Sequence, residues 1–147
     1  MSLRDSVLSA FDEVLDKMAF LFLDEAEDED TEHPPFSHVV RINFHGKVSG
    51  SLILHLTQDS AEQIARNLLG LSDEEPLPDD MLIDAVKEFT NMLTGRSMTL
   101  QDPDSRIDLD IPTLMPLSNE QAPGGSVEQI TGMLEEQPVL IRVTYDT

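Results

Sequence analysis

The chain contains no cysteine. That absence excludes disulfide frameworks, thiolate metal sites and cysteine nucleophiles. Basic residues are scarce: nine Lys and Arg stand against 29 Asp and Glu, for a formal net charge of −20 and a pI near 4.1. Binding to DNA, RNA or anionic lipid rests on neutralising phosphates with Lys and Arg, so nucleic acid is not an expected partner. Long apolar runs are also missing. The longest, Met18 to Leu23, has six residues, far below the roughly 18–20 needed to span a bilayer. The first residues enter an amphipathic pattern and show no unbroken apolar signal core. The expectation is a cytoplasmic protein with no membrane insertion. There is no Gly-x-Ser-x-Gly elbow and no Walker-type phosphate loop. Gly124-Gly125 is only a two-glycine turn.

What is present suits one globular domain, 1–147, large enough for a real core. Leu3 to Leu23 reads as a helix, with Val7, Phe11, Val14, Leu15, Met18 and Phe22 on one stripe. It runs into Asp24 to Glu32, a dense acidic run that is expected to be a solvated loop, 24–35 with its prolines. The run lacks the glycine turn and the ligand spacing of an EF-hand, which argues against a calcium loop. Val40, Ile42 and Phe44 alternate with polar residues, and His45-Gly46-Lys47 suggests a hairpin into a return strand, Val48 to Leu56. Asp59 or Ser60 is placed to cap a helix ending at Leu69, with Gly70 as its stop.

A long helix follows, from about Pro78 to Leu100, then a strand over Arg106 to Ile111. Residues 113–126 read as an irregular loop, and Val127 to Leu134 is open between a short strand and a helical turn. Pro138 to Tyr145, rich in β-branched residues, reads as a strand. The fold class expected is α+β: two layers, a mostly antiparallel sheet packed against two long helices plus a shorter one.

Within the long helix, Asp84, Glu88 and Asn91 stand at i, i+4 and i+7, so their side chains stack along one stripe. Leu82, Val86, Phe89 and Leu93 repeat with the same period on another face, which is the face to bury. Gly95 continues the polar stripe and leaves space beside Asn91. A carboxylate one turn from a carboxamide can grip a cation and hold a water. The first helix echoes the pattern with Ser9, Glu13 and Asp16, the last position changing from amide to carboxylate. The bland account of either stripe is a solvated helix face. His33, His38, His45 and His55 show no ligand spacing, so no metal site is expected.

On these residues the chain resembles the chemotaxis phosphatase family of the CheC, CheX and FliY proteins. The family carries a helical signature of Asp or Ser, three residues, Glu, two residues, Asn, which Asp84, Glu88 and Asn91 match in full. Ile42 to Leu54 is similar to the family's Gly-punctuated hairpin, Ala61 to Gly70 to the helix after it, and Ile111-Pro112-Thr113 to its proline-bearing strand end. Pro112 follows Asn91 after 20 intervening residues, slightly fewer than in CheC, and Leu114 to Glu136 looks unlike the family. The likeness is greatest to CheX, which keeps one working motif, whereas CheC-like members carry two. Asp16 in place of Asn makes the first helix look like a degenerate second site.

The resemblance implies hydrolysis of the aspartyl phosphate on a CheY-like response regulator. Asn91 would orient the attacking water and Glu88 would pair with the regulator's active-site lysine. Asp84 would support Glu88, contact the partner, or favour the helix's N-terminal half. No cofactor is implied in this chain; Mg2+ is expected in the receiver domain. The alternatives are a non-catalytic docking module of the same fold, binding a receiver or a flagellar switch component, and an assembly protein. A homodimer through sheet edges, templated by an exposed final strand, is compatible with all three.

Overall fold

The computed structural model describes residues 2–14, 23–25, 35–104, 106–116, 126–134 and 137–146. Three helices lie in it: α1 (Leu3–Val14), α2 (Gln58–Leu69) and α3 (Asp79–Gln101). The strands are β1 (Leu23–Glu25), β2 (Phe36–His45), β3 (Ser49–Thr57), β4 (Asp108–Leu109), β5 (Thr113–Leu114), β6 (Ser126–Leu134) and β7 (Gln137–Asp146). They form one sheet in the order β1-β6-β7-β3-β2-β4, with β5 also paired to β2, and every pairing is antiparallel. The architecture is the α+β arrangement expected.

The period-2 pattern sets the register. Val40, Ile42 and Phe44 of β2 pair with Leu54, Leu52 and Gly50 of β3. Directly paired residues share a sheet face, so these side chains line one inner surface. Ile141 and Val143 of β7 and Ile130 of β6 continue it. All of these apolar residues are at most 1% exposed and belong to one cluster with Phe11, Ile64, Phe89 and Leu93 from the three helices. Gly50 is required by close approach. A Cβ there would overlap Thr144 O and stand 2.8 Å from Tyr145 Cα.

Several boundaries differ from the sequence reading, each for a tertiary reason. The described part of the first helix ends at Val14, and 15–22 lie outside the described residues. Leu23, expected to end the first helix, and Asp24 and Glu25, expected to begin the acidic loop, are strand: they pair with Leu134, Met133 and Gly132. Strand pairing is made by backbone N–H and C=O groups, so an acidic sequence does not prevent it. The rest of that run, 26–34, lies outside the described residues.

The strand expected over Arg106 to Ile111 is only Asp108–Leu109, while Thr113–Leu114, expected to be loop, is β5. Both pair with β2, β4 with Phe44 and His45 at its end and β5 with Val40 and Arg41 in its middle. Ser126–Leu134 resolves to a strand because β7 pairs with it along its length. That pairing also makes β7 interior, between β6 and β3. The final strand is therefore not an exposed edge, and among the described residues the edges belong to β1 on one side and β4 and β5 on the other.

Helix α2 is capped by Thr57, two residues before the expected Asp59 and three before the expected Ser60. Thr57 Oγ1 accepts from Ser60 N at 3.2 Å. Gly70 ends α2 at φ 70°, ψ 30°, and Leu71 N donates to Arg66 O at 2.8 Å, closing a left-handed cap that glycine adopts without strain. The Arg66 guanidinium then donates to Ser72 O and Glu75 O at 2.9 and 2.7 Å, which holds the linker before α3.

Candidate functional site

Helix α3 presents the motif because its two faces differ in chemistry. Leu82, Ala85, Val86, Phe89 and Leu93 are buried, together with Thr90, Thr94 and Ser97. The three buried hydroxyls donate to carbonyls four residues back, Thr90 to Val86 O at 2.6 Å, Thr94 to Thr90 O at 2.8 Å and Ser97 to Leu93 O at 2.7 Å. They are satisfied inside the helix, so none of these three hydroxyls is stranded in the core. Phe89 meets Phe11 of α1 edge to face, centroids 5.5 Å apart. Ser6 Oγ on α1 donates to Gln101 Oε1 at 2.8 Å.

On the opposite stripe Asp84 and Glu88 are exposed and Asn91 is half-buried. None of the three side chains has a hydrogen-bond or ion-pair partner among the described residues. Asp79 and Asp80 occupy the first turn of α3, so four carboxylates crowd the N-terminal half of the helix. They complement the positive end of its dipole and make the stripe a surface suited to a cationic group. Lys87, half-buried on the same helix, forms no ion pair with them.

The stripe is bordered on both sides. On the α1 side, Arg96 Nε donates to Glu13 Oε2 at 2.9 Å, with side-chain exposures of 41% and 27%. Glu13 belongs to the first-helix stripe, so its carboxylate is engaged by a cation from the motif helix itself. Ser9 is exposed, and Asp16 lies outside the described residues. Nothing in the sequence flags Arg96, because the pairing exists only once α1 lies beside α3.

On the other side, a Cβ at Gly95 would meet Leu109 Cδ1 at 3.7 Å. The space beside Asn91 is thus bounded by β4 and not open throughout. That strand is held to β2 by Phe44↔Leu109 pairing and by the Asp110 N to Asn43 O bond of 3.0 Å. His45 Nε2 sits 3.1 Å from Asp110 Oδ2, and hydrogen bonding to this imidazole is the main reason the Asp110 carboxyl is held below its usual range.

The other described histidines are placed structurally. His38 bonds Ser37 Oγ at 2.7 Å, and His55 packs edge to face on Phe36. Burial lowers the His38 pKa, against the opposing charges of Asp79 and Glu62. Among the described residues no three His, Asp or Glu side chains converge as a metal site. Among them, too, no helix is long and apolar enough to cross a membrane.

A family model described as chemotaxis phosphatase CheX matches residues 38–137, a span that contains Asp84, Glu88 and Asn91 and excludes α1. No curated protein sequence matches the chain. Among solved structures, the chain resembles the chemotaxis protein CheX from Vibrio vulnificus at 20% identity and TM-score 0.77, covering 99% of this chain and 97% of that one. It resembles the CheX–CheY–BeF3–Mg complex from Borrelia burgdorferi at 16% identity and TM-score 0.75, covering 99% of each. FliY from Thermotoga maritima is a more distant likeness, at 16% identity and TM-score 0.63, covering 95% of this chain and 84% of that one. At these identities the likeness is one of fold.

Proposed function

The chain belongs to the CheX family of chemotaxis phosphatases, and from that premise we propose that it hydrolyses the aspartyl phosphate of a CheY-like receiver domain. The observation that carries the reading is the partnerless stripe Asp84, Glu88 and Asn91 on the exposed side of α3. A solvated face needs no amide at this position, and the fold makes no use of it.

Hydrolysis of an acyl phosphate needs a water placed in line with the P–O bond to the aspartyl oxygen. It also needs little charge repulsion as phosphate departs. Positioning and electrostatics supply most of such catalysis. The Asn91 amide donates and accepts hydrogen bonds and carries no charge. It can hold the water from one side and approach an anionic phosphoryl group from the other. Water attacks phosphorus, the bond to the aspartyl oxygen breaks, and inorganic phosphate leaves a free carboxylate on the receiver. Glu88, one turn away, accepts from a receiver lysine and sets the docked register. The acidic N-terminal half of α3 favours that cation. Magnesium belongs to the receiver's site in this scheme.

The test is phosphate release from a phosphorylated receiver in the presence of magnesium. Wild type accelerates release, and Asn91→Ala, unchanged in circular dichroism, loses about a hundredfold or more of that acceleration. Acceleration retained by Asn91→Ala excludes the role given to the amide. No acceleration of any receiver by folded wild type leaves a docking module.

A further inference from the structure

The motif stripe has a border that the signature does not include. Ile111 is 84% exposed and Leu114 is 41% exposed, two of the four large apolar residues that stand out from the described surface. The strand register brings both to one side of α3. His38, at the start of β2, feels the charge of Asp79 at the start of α3, while Leu109, paired with Phe44 near the end of β2, reaches Gly95. Helix and strand therefore run the same way. Asn91 lies twelve residues beyond Asp79, about 18 Å at the helical rise. Asn43 lies five residues beyond His38, about 17 Å at the strand rise. The two come level, and the Asn43 carbonyl is the acceptor for Asp110 N. Ile111, the next residue, thus comes to the level of Asn91, and Leu114, paired with Val40, stands further back along the stripe. Met81, 39% exposed, precedes Asp84 on the helix.

We infer that Ile111 is the apolar contact on which a phosphorylated receiver domain seats when Asn91 enters its phosphoryl site. This deepens the phosphatase reading and rests on it. The occupant follows from continuity with the motif stripe and from charge. A chain of net charge −20, with an acidic stripe, meets an anionic phosphorylated partner against long-range repulsion. Glu88 supplies one attractive contact with a cation. The remaining affinity has to come from short-range burial, and Ile111 is the most exposed large apolar side chain at hand. It is a docking residue, not a catalytic one.

The experiment is steady-state dephosphorylation of an acyl-phosphate receiver with magnesium, comparing wild type, Ile111→Ser, Ile111→Leu and Asn91→Ala. Losing one buried aliphatic contact raises KM about tenfold. Ile111→Ser is therefore expected to raise KM by that factor, with kcat and melting temperature at wild-type values, and Ile111→Leu is expected to restore KM. An unchanged KM in Ile111→Ser, or a fall in kcat at unchanged KM, overturns the inference. If Asn91→Ala loses turnover while Ile111→Ser matches wild type, only the docking residue is refuted. If wild type accelerates no receiver, the phosphatase reading fails and the docking inference falls with it.

Discussion

Replacing Asn91 with aspartate exchanges an NH2 group for a charged oxygen of nearly the same size. In the folded protein this change is mild. The Asn91 side chain has no hydrogen-bond partner among the described residues and is half-buried, so no native bond is broken. Its charged neighbours on the helix are Glu88, three residues earlier, and Lys87, four earlier; a like charge at that spacing costs only about 0.2–0.5 kcal/mol, and the lysine offsets part of it. The bound complex is different. A carboxylate brought within about 4 Å of a phosphoryl oxygen is repelled by about 1 kcal/mol at the dielectric of water. At the effective dielectric of a protein surface the figure is about 4 kcal/mol. Docking excludes water and moves the site toward the second figure.

Each 1.4 kcal/mol is roughly tenfold in rate, so the charge alone slows hydrolysis by about fivefold to a thousandfold. The lost N–H donor adds to it, and removing such a donor typically costs about a hundredfold or more. Asn91→Asp should therefore be slower than Asn91→Ala, which loses the donor without gaining the charge. The assay is single-turnover phosphate release at saturating protein, with thermal melting as the fold control. An Asn91→Asp variant that releases phosphate faster than Asn91→Ala refutes the reasoning, because the charge at that position is then not felt by the reacting group.

Two further outcomes follow from the fold. Gly50→Ala places a methyl group against backbone atoms of β7, which cannot swing aside as a side-chain tip can; the expected loss is about 3 kcal/mol, roughly 6–12 °C in melting temperature, and denaturant unfolding that shows less than 1 kcal/mol contradicts the close approach. His38 is held below its ordinary pKa by burial, so between the unfolded value near 6.5 and the lower folded value the unfolded chain binds more protons; its contribution is present above the unfolded pKa and lost as pH falls through that window. Stability measured from pH 7 to 5 should fall less steeply in His38→Gln than in wild type, and equal slopes exclude this source.

Much of the fold was legible in the chain. Alternation marked β2 and β3, the β-branched run marked β7, and Gly70 marked the end of α2, because these depend on local periodicity and on a left-handed cap. The elements misread were those whose state is decided by a distant partner. β1 is acidic and short, and is a strand only because β6 offers it an edge. β4 and β5 have two residues each and exist through pairing with β2. Ser126–Leu134 carries a mixed pattern that its alignment with β7 resolves.

For the site, the sequence by itself determined the stripe. The spacing of Asp84, Glu88 and Asn91 against Leu82, Val86, Phe89 and Leu93 dictates which side of α3 faces water, since helical geometry is a local property. Only the tertiary structure decided what stands around it. Arg96 engages Glu13 because α1 packs beside α3. Leu109 closes the space at Gly95, and Ile111 comes level with Asn91, because β4 and β5 attach to β2 beneath the helix. Those neighbours are far apart in the chain, and no periodicity along it encodes which distant residues a packed sheet will bring together.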